Sequence, residues 1–274
     1  MAFNAWEYIF AKTRPELLKS QWWIGHIPFA FELVKRLRPE MIVELGTYSG
    51  SSFAAFCQAV HILGLHAKCF GVDLWQGDIH MGKFDENIYL EISEYIKKNY
   101  PDIGVLIRSS FDEAANKFED GSIDILHIDG THTYEAVSGD FHTWLPKVSI
   151  KKGVVLFHDI NVTRENVGPA AEFFGVRRFF DSVKDRYPHI EFDHCYGLGV
   201  LVIGREVPED ILRMINDSKD PGFHRFFEEL GQTVCNRFWQ QQGKRGILGG
   251  RISAKITNDI KRILYRLKSL MFNS

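Results

Sequence analysis

Two stretches of the sequence end apolar runs in side chains that suit acid, base or metal chemistry. One is Asp124-Ile-Leu-His-Ile-Asp-Gly-Thr-His-Thr-Tyr134, the other Val154-Val-Leu-Phe-His-Asp-Ile-Asn161. Asp129 closes the first run, and His158 and Asp159 close the second. Oxygen and imidazole donors delivered to one spot by adjacent strands favour a divalent cation of the Mg²⁺ or Mn²⁺ kind. His132 follows Asp129 by three residues, on the turn into the next helix, within reach of anything such a cation holds. A cation lowers the pKa of a bound hydroxyl, and a nearby imidazole then takes the proton. Blander roles exist for each group singly: Asp129 as a cap for the helix opening at Thr133, and His127 as a buried strand histidine.

A third stretch, Met41-Ile-Val-Glu-Leu-Gly-Thr-Tyr-Ser-Gly-Ser-Ser52, joins an apolar strand to an apolar helix through a glycine-rich turn. Glu44, Gly46, Thr47, Gly50 and Ser51 stand where open α/β sheets bind ligands, and the glycines are expected to admit a cofactor close to the backbone. The spacing Glu44-x-Gly46-x-x-x-Gly50 departs from the dinucleotide fingerprint. It suits a nucleoside cofactor without a pyrophosphate, S-adenosylmethionine first among them; a plain strand-to-helix turn is the alternative. The next strand closes on Gly71-Val-Asp-Leu-Trp75, where the carboxylate of Asp73 suits two ribose hydroxyls. Trp75 opens a polar loop ahead of Gly82 that is expected to close over the cofactor or a sugar.

These groups need a frame. Short apolar runs at 41–45, 69–72, 105–107, 123–128, 153–157, 190–192 and 200–203 read as strands. Stretches at 51–63, 86–99, 134–145 and 170–186 read as helices between them. The alternation predicts an α/β fold, a Rossmann-like, mostly parallel sheet with helices on both faces, closed by an antiparallel edge hairpin. Four regions follow: a helical aromatic-rich cap (1–40), a cofactor-binding catalytic domain (41–204), a helical extension (205–242), and a linker with a basic amphipathic helix (243–274).

The 274 residues are 45% hydrophobic and 25% charged, enough for a sizeable core and too apolar for a disordered chain. No apolar run reaches the roughly 18–20 residues of a membrane span, and the first residues lack the layout of a secretory signal. The four cysteines (Cys57, Cys69, Cys195, Cys235) form no C-x-x-C pair, so a reducing cytoplasm is expected, without a disulfide frame or zinc site. The overall charge of −2 conceals an asymmetry. From Arg237 onward nine Lys/Arg face Asp259 alone, giving that tail +8 and the rest of the chain −10.

The segment from Trp23 to Gly204 closely resembles the class I S-adenosylmethionine-dependent methyltransferases of the macrocin O-methyltransferase and cephalosporin-hydroxylase-like group. The likeness covers about two-thirds of the chain and rests on Val43-Glu-Leu-Gly-Thr, Gly71-Val-Asp-Leu-Trp-Gln-Gly-Asp-Ile-His, His127-Ile-Asp-Gly-Thr-His-Thr-Tyr-Glu-Ala and Leu156-Phe-His-Asp-Ile-Asn. It implies metal ligation by Asp129, Asp159 and the position before it, with His132 as base. It also implies adenine contacts from Ser110, Phe111 and Asp112. The macrolide enzymes carry Glu where this chain has His158, which makes the site less negative, favours Mn²⁺, or a site filled only with substrate, over Mg²⁺, and leaves Asn161 as an alternative oxygen donor.

The resulting expectation is a metal-assisted O-methyltransferase acting on a sugar hydroxyl of a glycan, glycolipid or glycosylated metabolite. The alternatives are a metal-dependent oxygenase on the same fold and a non-catalytic partner of a glycosyltransferase. Residues 251–272 have an aliphatic stripe and a basic face, which suit peripheral contact with the inner membrane face or pairing in a homo-oligomer. Tyr265 is the one aromatic residue that falls between these bases, short of the interleaving that nucleic-acid binding would use, so no nucleic-acid partner is expected.

Overall fold

The computed structural model describes residues 3–78 and 82–243; the basic stretch at 251–272 lies outside them. Its strands are β1 Met41–Leu45, β2 Lys68–Asp73, β3 Gly77–Asp78, β4 Gly82–Lys83, β5 Gly104–Arg108, β6 Ile125–Ile128, β7 Val154–His158, β8 His189–Phe192 and β9 Leu198–Val202. Its α-helices are α1 Ile27–Leu37, α2 Ser51–Ile62, α3 Glu86–Asn99, α4 Phe111–Ala115, α5 Tyr134–Trp144, α6 Arg164–Val167, α7 Val176–Val183, α8 Glu209–Asp217 and α9 Pro221–Gln241. No helix of the described residues is long and apolar enough to cross a membrane.

Seven strands form one sheet in the order β5-β2-β1-β6-β7-β9-β8, while β3 and β4 make a separate two-stranded hairpin. The first five strands of that order run parallel; β9 pairs antiparallel with both β7 and β8. The expected edge hairpin is present, with its second strand turned inward. Strands β6 and β7 are buried at every residue, as a parallel sheet covered on both faces requires. One core cluster packs the N-terminal segment with α1, α2, α8 and α9; the other lies among α4, α5 and α7. From β1 the chain winds outward through β2 to β5, then returns to place β6 on the other side of β1. That reversal is the topological switch point, where an open sheet leaves a crevice at its carboxyl edge.

The helix predicted over 170–186 is shorter in the structure. Only Val176–Val183 is α-helical, flanked by 3-10 turns at Gly168–Phe173 and Lys184–Arg186. Gly175 breaks it: its N–H donates to the His132 carbonyl (2.7 Å), and a Cβ there would sit 2.2 Å from the Tyr134 nitrogen. Close contact with the start of α5 therefore overrides local helix propensity. The N-terminal 40 residues are likewise less helical than predicted, with 3-10 turns at Ala5–Lys12 and Ile24–His26 before α1. They pack directly on α8 and α9: the Tyr8 hydroxyl donates to Asp217 Oδ2 (2.7 Å), and Phe3 meets Phe223 edge-on.

Candidate functional site

A crevice of about 790 Å³ opens at the switch point, bounded by the loops after β1, β2, β5, β6 and β7. Asp129 leaves the end of β6, and His158 and Asp159 leave the end of β7; these two strands are paired in parallel register. One donor atom from each of the three residues lies within 4.8 Å of the other two. His158 Nδ1 stands 3.1 Å from Asp129 Oδ1 and 3.5 Å from Asp159 Oδ1. His132 Nε2 is 2.8 Å from Asp159 Oδ2 and 3.6 Å from Asp129 Oδ1.

The donor set fits a divalent cation. His158 Nε2–H donates to the Cys195 carbonyl at 3.0 Å, which turns Nδ1 toward two carboxylates. A bare lone pair facing two anions is repulsive, so Nδ1 must carry either a proton or a cation. The outward N–H fixed on a carbonyl is the usual support of a metal-binding imidazole. Asn161, the alternative oxygen donor, instead turns its amide to donate to the Asp193 carbonyl (2.8 Å).

Where no cation is bound, protons fill this role. Burial works against a charged His132, yet the Asp159 and Asp129 carboxylates outweigh it and push its pKa up to about 10. Burial is likewise overcome at His158 by Asp159 and Asp129, which raise it to about 9. Burial would raise Asp129, but His158 and His132 hold it far below the usual carboxylate range. Both imidazoles lie above their ordinary 6.5, so their charged contacts stabilise the fold fully below that pH and are lost as pH climbs through about 9 to 10. Thermal melts without divalent cations are expected to show this loss, and His132→Gln is expected to lose less over the same interval. Equal losses in both proteins would remove His132 from the account.

The loop after β1 meets this cluster from the other side. Gly46 adopts φ +91° and packs on the Asp129 backbone, while Gly50 (φ +80°) abuts Ile92. The space a Cβ would take at each glycine is thus filled by protein, and Gly46 itself lines the crevice. Thr47 and Ser49 carry buried hydroxyls with no hydrogen-bond partner, and both line the crevice. Ser51 also lines it, its hydroxyl accepting from the Lys19 and Ser20 N–H groups. Asp73 lines it too, one carboxylate oxygen accepting from Tyr48 N–H (2.8 Å) and the other from Trp75 N–H (2.7 Å). Ser110, Phe111 and Asp112 border the crevice at the start of α4.

Two expected cofactor residues lie elsewhere. Trp75 is buried, packs at a tilt against Tyr89 and donates from Nε1 to the Tyr48 carbonyl, so it braces the loop from behind. Glu44 is buried beneath the crevice because the β1–β6 register sets it beside His127, whose Nδ1 lies 2.9 Å from Glu44 Oε2. Burial raises the Glu44 pKa against the opposing pull of His127. Glu44→Gln is expected to cost about 1–3 kcal/mol of unfolding free energy. A denaturant midpoint equal to that of the unchanged protein would dismiss the pair as a stabilising contact.

Several crevice residues carried no site signal in the sequence, Trp22 excepted, which belongs to the aromatic-rich segment 1–40. Phe174 stacks on the His132 ring (5.0 Å, 18°), and Trp22 and Tyr196 meet at 5.3 Å on the rim. Asp140 of α5 also lines the crevice; burial, reinforced by Asp112, pushes its pKa up to about 7. Each belongs to a segment whose neighbours are remote in sequence.

Residues 43–160 match a family model described as a methyltransferase domain. The SAH-bound methyltransferase PaMTH1 of Podospora anserina shares the fold at TM-score 0.51 and 16% identity, over 65% of this chain and 77% of that one. The fold is that of the class I methyltransferases. A putative caffeoyl-CoA O-methyltransferase from Staphylococcus aureus aligns with this methyltransferase fold at TM-score 0.51 and 14% identity, over 69% of this chain and 86% of that one. The uncharacterized protein y4gI of Sinorhizobium fredii is 41% identical over 189 residues, which are 69% of this chain. This methyltransferase-fold chain spans only 20% of the length of that relative.

Proposed function

We propose that the protein is an S-adenosylmethionine-dependent O-methyltransferase, assisted by a divalent cation, whose acceptor is a sugar hydroxyl. The observation that carries this reading is that the Asp129–His132–His158–Asp159 cluster opens into the same crevice as the Gly46–Ser51 loop and Asp73. S-adenosylmethionine, when bound, supplies an electrophilic methyl group on a sulfonium. A cation on Asp129, His158 and Asp159 would lower the pKa of an acceptor hydroxyl and weaken the hold of the carboxylates on the His132 proton. His132 then has its Nε2 positioned to accept the hydroxyl proton, with its ring fixed by Phe174 and its carbonyl by Gly175. Asp73 serves the ribose, Thr47 and Ser49 offer hydroxyls to the polar tail, and Ser110 with Phe111 borders the adenine. Alignment supplies most of the remaining acceleration.

The sugar acceptor is supported by the resemblance to the macrocin group and by the aromatic rim of Trp22 and Tyr196. The basic residues of 251–272 would suit an acceptor presented at an anionic lipid surface on the cytoplasmic side. The oxygenase alternative fits less well, because it leaves the Gly46–Ser51 loop and Asp73, which line the same crevice, without a role.

Isothermal titration with S-adenosylhomocysteine tests the cofactor half: saturable binding is expected, and no heat at millimolar ligand would overturn it. Asp73→Ala is expected to weaken that binding about 10- to 100-fold, the worth of charge-assisted hydrogen bonds to hydroxyls. An unchanged isotherm would remove Asp73 from the ribose.

A further inference from the structure

The turn between β8 and β9 brings together two cysteines that are 40 residues apart in sequence. Cys195 Sγ lies 3.7 Å from Cys235 Sγ on α9. Two glycines make room for this contact. A Cβ on Gly25 would sit 2.2 Å from Cys195 Sγ, and one on Gly231, a turn before Cys235, would sit 2.4 Å from the Gly25 carbonyl oxygen. The segment before α1, the β8–β9 turn and α9 therefore close on the thiol pair, and both cysteines keep partial exposure to solvent.

The same turn holds the end of β7. Cys195, Tyr196 and Gly197 have φ of +47°, +67° and +86°, a left-handed run that costs backbone energy at its two non-glycine positions. In return three successive carbonyls face the site. That of Cys195 accepts from His158 Nε2–H (3.0 Å), that of Tyr196 from Asn161 N–H (2.6 Å), and that of Gly197 from Asp159 N–H (3.1 Å). A change at the Cys195 side chain is therefore one residue's backbone away from the cluster.

We propose that Cys195 and Cys235 are an oxidative modification site, a dithiol that a hydroperoxide converts to a disulfide, and that the crosslink shifts the carbonyl supporting His158. With hydrogen peroxide as the oxidant, one thiol attacks a peroxide oxygen, giving a sulfenic acid and releasing water. The second thiol attacks that sulfur, the S–S bond forms, and a second water leaves. Two thiols lose two hydrogens and two electrons, and the hydroperoxide is reduced. The sulfurs must close from 3.7 Å to about 2.05 Å, and the proposed coupling is that the strained turn, whose Cys195 carbonyl holds His158 Nε2–H, takes part in that movement. The consequence for cation binding rests on the function proposed above; the crosslink and its effect on the His158 ring do not.

The full chain, freed of divalent cations, is treated with stoichiometric hydrogen peroxide. Expected are an intact mass lower by two hydrogens, a Cys195–Cys235 linked peptide on digestion without reductant, and a displaced His158 ring signal in ¹H–¹⁵N spectra. All three should revert with dithiothreitol and be absent in Cys235→Ser. A Cys57–Cys69 linkage, intermolecular dimers or sulfinic acid in place of the link would overturn the modification site. A clean Cys195–Cys235 link with an unmoved His158 signal would overturn the coupling. Manganese titration of the oxidised and reduced forms, expected to differ about 10-fold or more in affinity, tests the dependent step separately.

Discussion

Asp159→Asn is expected to lower Mn²⁺ affinity at least about 100-fold, more than removal of a supporting partner alone would cost, while leaving the fold intact. The substitution is chosen for its backbone. Asp159 has φ +65°, a conformation that asparagine adopts with little strain and alanine does not. Its N–H bond to the Gly197 carbonyl survives in the amide, so only charge and one acceptor oxygen are lost. His132 feels the loss most directly, since Asp159 Oδ2 at 2.8 Å is its nearest carboxylate. Its pKa is expected to fall from about 10 toward the ordinary imidazole value, because the remaining Asp129 oxygen is 3.6 Å away and burial opposes the charge. Electron paramagnetic resonance with Mn²⁺ reads the first effect, and NMR titration of the His132 ring reads the second. Unchanged manganese affinity would remove Asp159 from the cation site. An unmoved His132 titration would mean Asp129 alone holds the proton.

The sheet was legible in the sequence because burial on both faces demands continuous apolar runs, and all seven predicted strands occur with boundaries moved by a residue or two. Asp129, His158 and Asp159 were legible for a related reason: polar groups that end such runs must emerge at the carboxyl edge, and neighbouring parallel strands bring those ends together. Glu44 and Trp75 obey the same positional rule and yet face away from the crevice. The first is claimed by His127 across a register the sequence does not show, and the second by the Tyr48 carbonyl. The strand ends could be read; the partners that capture a side chain could not. The thiol pair was hidden for the same reason, since Cys195 and Cys235 meet only once α9 lies against the β8–β9 turn. Phe174 and Gly175 reach His132 from a loop whose sequence resembles the start of a helix.

Gly46→Ala is expected to cost roughly 2–6 kcal/mol from backbone strain and overpacking together. Gly46 sits at φ +91°, and its added Cβ would lie 2.0 Å from the Asp129 carbonyl oxygen, 2.6 Å from its carbon and 3.0 Å from Gly130 N. These are backbone atoms of the neighbouring strand's end, and no side-chain rotation relieves them. At Gly50 the obstacle is the flexible tip of Ile92, so Gly50→Ala should cost less. Gly64 supplies the control, with φ +58° and nothing within 4 Å of its Cβ position, so Gly64→Ala reports strain alone. The excess of Gly46→Ala over Gly64→Ala in urea unfolding then measures the contact between the loop after β1 and the end of β6. Because Asp129 must move to accept the methyl, the folded remainder should bind both S-adenosylhomocysteine and Mn²⁺ more weakly. Equal unfolding costs at the two glycines, with both affinities retained, would show that the two halves of the crevice are not held together at this point.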